Sequence, residues 1–111
     1  MRASVVDWSA VPAEGPEGGV RKRHLSGEGV DLVMVEVPAG TKAPRHSHPH
    51  EQFVQVVAGG GTLETEAGAW EFSQGSVFHF PPEAWHAAVF ASDTVLVETN
   101  LRHDGGPPPG G

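Results

Sequence analysis

Turn-forming residues interrupt this chain so often that no long stretch of helical spacing survives. Ser26–Gly29 (SGEG), Gly59–Gly61, Ala67-Gly68, Gln74-Gly75, Pro81-Pro82 and Ser92-Asp93 divide it into short apolar runs. The 15 glycines and 10 prolines among 111 residues serve that division. Glycine supplies the positive φ of tight turns, and proline stops a strand because it has no N–H to give the ladder. Between the breaks lie Val20–Leu25, Val30–Val37, Phe53–Ala58, Thr62–Glu66, Ala69–Phe72, Ser76–Phe80, Trp85–Phe90 and Thr94–Thr99. These runs are rich in β-branched and aromatic residues and predict strands. Ala67-Gly68 sets up a hairpin between two of them. The expected fold is all-β, with roughly eight to ten short strands in a sandwich or barrel.

The length leaves room for one domain. Residues 1–19 read as an N-terminal segment and a Pro/Gly-rich loop, residues 20–103 as the barrel, and residues 104–111 (DGGPPPGG) as a disordered tail with nothing to bury. Trp70, Phe72, Phe78, Phe80 and Phe90 are expected in the core. The net charge of −7 with neutral histidines would repel phosphate backbones, so nucleic acid is not an expected partner. The absence of cysteine excludes disulfides and thiolate metal sites. No apolar run is long enough to span a membrane, and the start MRASVVDWSA has no signal-peptide pattern, which points to a cytoplasmic protein.

Three of the seven histidines fall at alternate positions, His46, His48 and His50, with Gln52 next in the series. On an extended strand these side chains share a face, so His46 and His48 can present two imidazoles to one point. Pro49 is expected to bend the strand and turn His50 aside, toward either an outer contact of the site or solvent. The Gln52 carbonyl oxygen can serve as a further donor. A divalent metal needs three or four converging donors, and His86, on a distant strand, is the candidate to complete them. His79, between Phe78 and Phe80, should face outward, and Trp85 is a candidate pocket residue beside His86.

Gly40-TKAPR-His46-Ser-His48-PHE-Gln52-FVQVVA-Gly59, followed by Gly75-SVFHF-Pro81-Pro-Glu83-AW-His86, resembles the two cupin motifs in order. The resemblance implies a single-domain double-stranded β-helix, or jelly-roll barrel, with a metal held inside by His46, His48, Gln52 and His86. Gln52 stands where most of that family has Glu, Glu83 replaces a glycine and Phe90 an asparagine. Glu51 alternates to the opposite face. Donor chemistry allows Zn, Ni, Fe, Mn or Cu.

Within the superfamily, HSHPHEQ and the VRKR segment, with Val20, Lys22 and Arg23, look closest to small pectin-degradation cupins that linearise unsaturated uronates. That likeness implies a small-molecule substrate and a non-redox isomerase or lyase reaction. Glu98 and Arg102 are the counterparts of the family's acid and arginine, with Glu98 as general base if the face it shares with Leu96 and Asn100 turns inward. Cupins that cyclise polyketides are also similar; a cupin dioxygenase and a non-enzymatic ligand-binding cupin are further alternatives. Arginines pointing into the barrel would favour a carboxylate substrate. A homodimer is expected, since Val5, Val6 and Trp8 are apolar residues that the barrel alone does not obviously bury.

Overall fold

The computed structural model describes residues 2–102. The tail expected to be disordered lies outside the described residues, as does His103. Among the described residues a single 3-10 turn at Trp8–Ala10 precedes nine strands. These are β1 (Arg21–Ser26), β2 (Val30–Val37), β3 (Lys42–His46), β4 (Gln52–Ala58), β5 (Gly60–Thr65), β6 (Gly68–Ser73), β7 (Val77–Phe80), β8 (His86–Phe90) and β9 (Thr94–Leu101). They form a five-stranded antiparallel sheet, β1-β2-β9-β4-β7, and a four-stranded one, β3-β8-β5-β6. The all-β fold read from the turn spacing is observed, and its two antiparallel sheets form the jelly roll that the cupin resemblance implies.

Strand alternation builds the core. Val33, Val35 and Val37 of β2, Val54 and Val56 of β4, and Leu96 of β9 are buried from the larger sheet. Leu63, Phe72 and Phe90 meet them from the smaller one, with Phe80 of β7. Burying each such side chain is worth about 1.5–3 kcal/mol. Register carries this inner face across the larger sheet in rows. Lys22, Val35, Leu96 and Val56 form one row, and His24, Val33, Glu98, Val54 and Phe78 the next. Ser26, Asp31, Asn100, Gln52 and Phe80 form a third. The third row is mostly polar, yet Asp31, Gln52 and Asn100 are only 3%, 2% and 0% exposed.

Three expectations are corrected. The histidine stretch is not one strand: β3 ends at His46, an irregular loop carries residues 47–51, and β4 begins at Gln52. Pro49 has no N–H for a ladder, and the His48 carbonyl is taken instead by the Glu83 N–H at 2.7 Å. Gly60 and Gly61 do not end a strand but open β5. A Cβ at Gly61 would lie 2.1 Å from the Val89 carbonyl oxygen, so glycine is what lets β5 lie against β8. Trp70 shares the face of Phe72 but is 51% exposed, because β6 is an edge strand and the larger sheet does not cover it there.

The N-terminal segment is tied to β1 rather than loose. The Arg23 Nη1 donates to the carbonyls of Trp8 and Val11, and Arg21 to those of Gly15 and Ala13. No helix among the described residues is long and apolar enough to cross a membrane.

Candidate metal centre

The smaller sheet brings the two histidine-bearing segments together. His46 closes β3, His86 opens β8, and the two are register partners. His48, two residues on in the loop, completes a group whose ligand atoms all lie within 4.8 Å of one another. Ring centroids are 4.2 Å apart for His46 and His86, 5.0 Å for His46 and His48, and 5.5 Å for His48 and His86. Main-chain carbonyls orient two of the rings: the His46 Nδ1 donates to Pro44 O at 2.7 Å, and the His86 Nδ1 to Ala84 O at 3.3 Å. In each ring this leaves the Nε2 lone pair for a ligand, the tautomer a metal site requires. Phe80 stacks flat on His86, with centroids 3.8 Å apart and planes 3° from parallel.

Burial favours the uncharged form of two of these imidazoles, His86 and His48. It is the main reason the His86 pKa falls to about 4, with the neighbouring His46 adding to it. The His48 pKa is also lowered, by burial first and then by His46, His50 and Lys22. Both rings therefore face neutral water without a proton to displace, as a metal ligand must. Three imidazoles whose donor atoms cluster suit a first-row divalent cation, so the residues present fit the implied metal.

Gln52 enters from the opposite sheet. Its amide nitrogen donates to Asn100 Oδ1 at 2.7 Å, which leaves its carbonyl oxygen for another partner. His50 is not turned to solvent: it is 8% exposed, and its Nε2 meets the same Asn100 Oδ1 at 3.2 Å. Its ring lies 5.0 Å from that of His48, so it flanks the cluster.

Between the sheets, His46, His86 and Gln52 open onto an internal cavity of about 190 Å³. Its remaining wall is mostly apolar, from Val54, Leu63, Phe78, Phe80, Phe90 and Leu96 among others. A family model described as a cupin domain matches residues 33–103, most of the chain. The chain belongs to the cupin family. No curated protein sequence matches this cupin. Among solved structures it is similar to an RmlC-like cupin from Shewanella frigidimarina, with 21% identity, a TM-score of 0.81, and 93% of this chain and 94% of that one covered. It is also similar to KdgF from a Halomonas species, with 23% identity, a TM-score of 0.79, and coverage of 93% and 97%. A predicted oxalate decarboxylase from Thermotoga maritima follows at 15% identity and a TM-score of 0.77, covering 90% and 100%.

In this cupin the two residues paired as acid and arginine part company. Glu98 lines the cavity with the histidines, and the face it shares with Leu96 and Asn100 does turn inward. Its Oε1 is buried without a hydrogen-bond partner. Burial raises its pKa, against the pull of Lys22, His24 and His46. Arg102 does not line the cavity. Its Nε lies 3.2 Å from Asp31 Oδ2, both side chains being largely buried, so the guanidinium is held in an ion pair on the polar row. No other arginine of the described residues lines the cavity either: Arg45 lies over the Trp85 ring at 3.8 Å.

The cation that does line it is Lys22. The V-x-R likeness includes Lys22 but does not by itself place it at the site. The signal was its two-residue spacing from Val20 on a strand whose partner, β2, buries every second residue. Trp85 lines an adjoining groove of about 840 Å³ with Trp70 and Pro82, and Leu63, Phe78 and Phe80 border both spaces. Glu51 faces away as expected, with its Oε2 2.6 Å from the His79 Nε2. Glu83 adopts φ +68, which explains why the family's motif has a glycine at that position.

Proposed function

We infer that this cupin is a metal-dependent, non-redox enzyme that moves a proton on a small, oxygen-rich, anionic substrate. His46, His48, His86 and Gln52 would hold the cation, and Glu98 would act as the general base. The single observation that carries the reading is Glu98. A buried carboxylate with an unpartnered oxygen costs stability, and it shares one cavity with the histidine cluster. A divalent cation bound there would supply Lewis-acid polarisation of a substrate oxygen.

The chain's own residues would do the rest. Glu98 is placed to take a proton from a carbon beside a carbonyl, or from a hydroxyl, and to return it elsewhere on the substrate. Its raised pKa makes the return transfer easier than an ordinary carboxylate would. Lys22 provides attraction for a negative substrate in an otherwise apolar wall. Phe78, Phe80, Phe90 and Leu96 keep the surroundings poor in water, which strengthens both charges.

The motif resemblance to uronate-linearising cupins supports a cyclic 4,5-unsaturated uronate, opened to its keto form, as the substrate. The Lys22 side chain at the cavity supports this choice over an apolar polyketide. Exposed Phe53, Val57 and Val77 on the outer face of the larger sheet support pairing of two copies.

The test is to incubate metal-loaded protein with a 4,5-unsaturated galacturonate and follow the loss of its conjugated ultraviolet absorbance. Loss that stops on chelation and in Glu98→Gln is expected. Absorbance that decays no faster than in buffer removes the uronate assignment.

A further inference from the structure

Gln52 is a hard residue to use as a metal ligand, because only one end of its amide has a lone pair. If the group rotates by half a turn, it presents N–H bonds to the cation instead of an oxygen. A carboxylate has no such problem, since either oxygen serves. Something must therefore hold the Gln52 amide the right way round, and the polar row contains a group placed to do so.

Asn100 is fully buried, at 0% exposure, and is the register partner of Gln52 on the neighbouring strand. Its Oδ1 lies 2.7 Å from Gln52 Nε2 and 3.2 Å from His50 Nε2. One oxygen thus accepts from two donors belonging to residues on either side of Glu51. With Asn100 so oriented, the N–H end of Gln52 is occupied and its carbonyl end is the one released. With Asn100 reversed, its own N–H would face the Gln52 N–H, and the glutamine would have to turn. In the tautomer that carries its proton on Nε2, His50 donates to the same oxygen and opposes that reversal. The Asn100 Nδ2 is left buried with no partner, so the arrangement forgoes a hydrogen bond on that side. An unmet buried donor costs roughly 1–3 kcal/mol.

We propose that Asn100 is a positioning residue which, with His50, fixes the Gln52 amide so that its carbonyl oxygen faces the histidine cluster. This inference rests on the metal reading above and adds to it the device that makes a neutral amide usable as a donor.

The experiment is a double-mutant cycle read as metal affinity, with Co²⁺ titrated against a competing chelator and its d–d absorption recorded. Asn100→Leu removes the acceptor at similar volume. In the native background it should weaken Co²⁺ binding about tenfold or more, the usual loss when a ligand's hydrogen-bonded support is removed, and should alter the d–d band. In the Gln52→Glu background the same change should leave affinity and band nearly as they were, because a carboxylate needs no orienting. Equal losses in both backgrounds, or no loss in the native one, would overturn the proposal. If leucine prevents folding, as a thermal melt without metal would show, Asn100→Ser replaces it in the same cycle with the same two expectations, its hydroxyl being too short to keep the 2.7 Å contact. Failure of the unmutated protein to bind Co²⁺ at all would instead defeat both the metal reading and the proposal that rests on it.

Discussion

Glu98 in β9 and Arg102, the first residue past its end, are charged residues four positions apart, and they have opposite fates. Glu98 sits among Val33, Val54 and Phe78 with a carboxylate oxygen that nothing satisfies. Arg102 lies beside the polar row and pairs its charge with Asp31 at 3.2 Å, a close ion pair without hydrogen-bond alignment. A strand's alternation fixes which way a side chain points, but not whether a partner is waiting at that depth. Charge left over after pairing is available for chemistry, while charge that is matched holds the barrel together.

The sharpest way to break this contrast is Glu98→Gln. Turnover should fall by about 10²–10⁴-fold, the range for loss of a general acid or base. The thermal midpoint should rise or stay level, because a neutral amide is easier to bury than a carboxylate. Turnover that survives would show Glu98 to be a bystander.

Arg102→Met should do the reverse. By stranding the Asp31 carboxylate it should cost about 3–5 kcal/mol in a denaturant titration, while turnover per folded molecule holds. Adding Asp31→Leu should recover much of the loss. A drop in turnover without a drop in stability would return Arg102 to the active site.

Lys22→Met is next in size. It should raise KM roughly tenfold for an anionic substrate with little change in kcat, matching the ~1.5 kcal/mol of one charge-assisted hydrogen bond. An unchanged KM would leave the anionic substrate without its counter-ion.

The smallest effect is on pH dependence without metal. The folded-state pKa of His86 is lowered to about 4, so its share of stability is present above the ordinary histidine value and drains away as pH falls from about 6.5 toward 4. Glu98 has a raised pKa, so its share is present below the ordinary carboxylate value and is lost as pH rises through the folded one. Thermal melts of His86→Gln and Glu98→Gln across that window should flatten opposite arms of the profile. A native profile unaltered by either change would contradict both shifts.

The strands were legible because glycine and proline mark their ends by local sterics, and the histidine cluster because imidazole spacing is a local pattern as well. The loop at residues 47–51 was less so. Pro49 warned of a bend, but the hydrogen bond that holds the bend comes from Glu83, far along the chain. Lys22 was hidden by its type, since a lysine beside two arginines reads as solvated surface until β1 is placed in register with β2. Arg102 misled for the same reason in reverse: its partner, Asp31, lies on a strand seventy residues earlier, and no local pattern announces the pair. Asn100 drew attention only for sharing a face with Glu98, and its two contacts became visible only when β4 and β9 were side by side.

The contact between the His48 carbonyl and the Glu83 N–H has a mechanical consequence. It fastens the loop of the first two imidazoles to the turn leading into the third, using main-chain atoms alone. Swapping side chains in either loop leaves this latch intact, whereas adding or deleting a single residue throws it out of step. Evolution of this barrel toward new substrates is therefore freer through substitution around the latch than through changes in loop length.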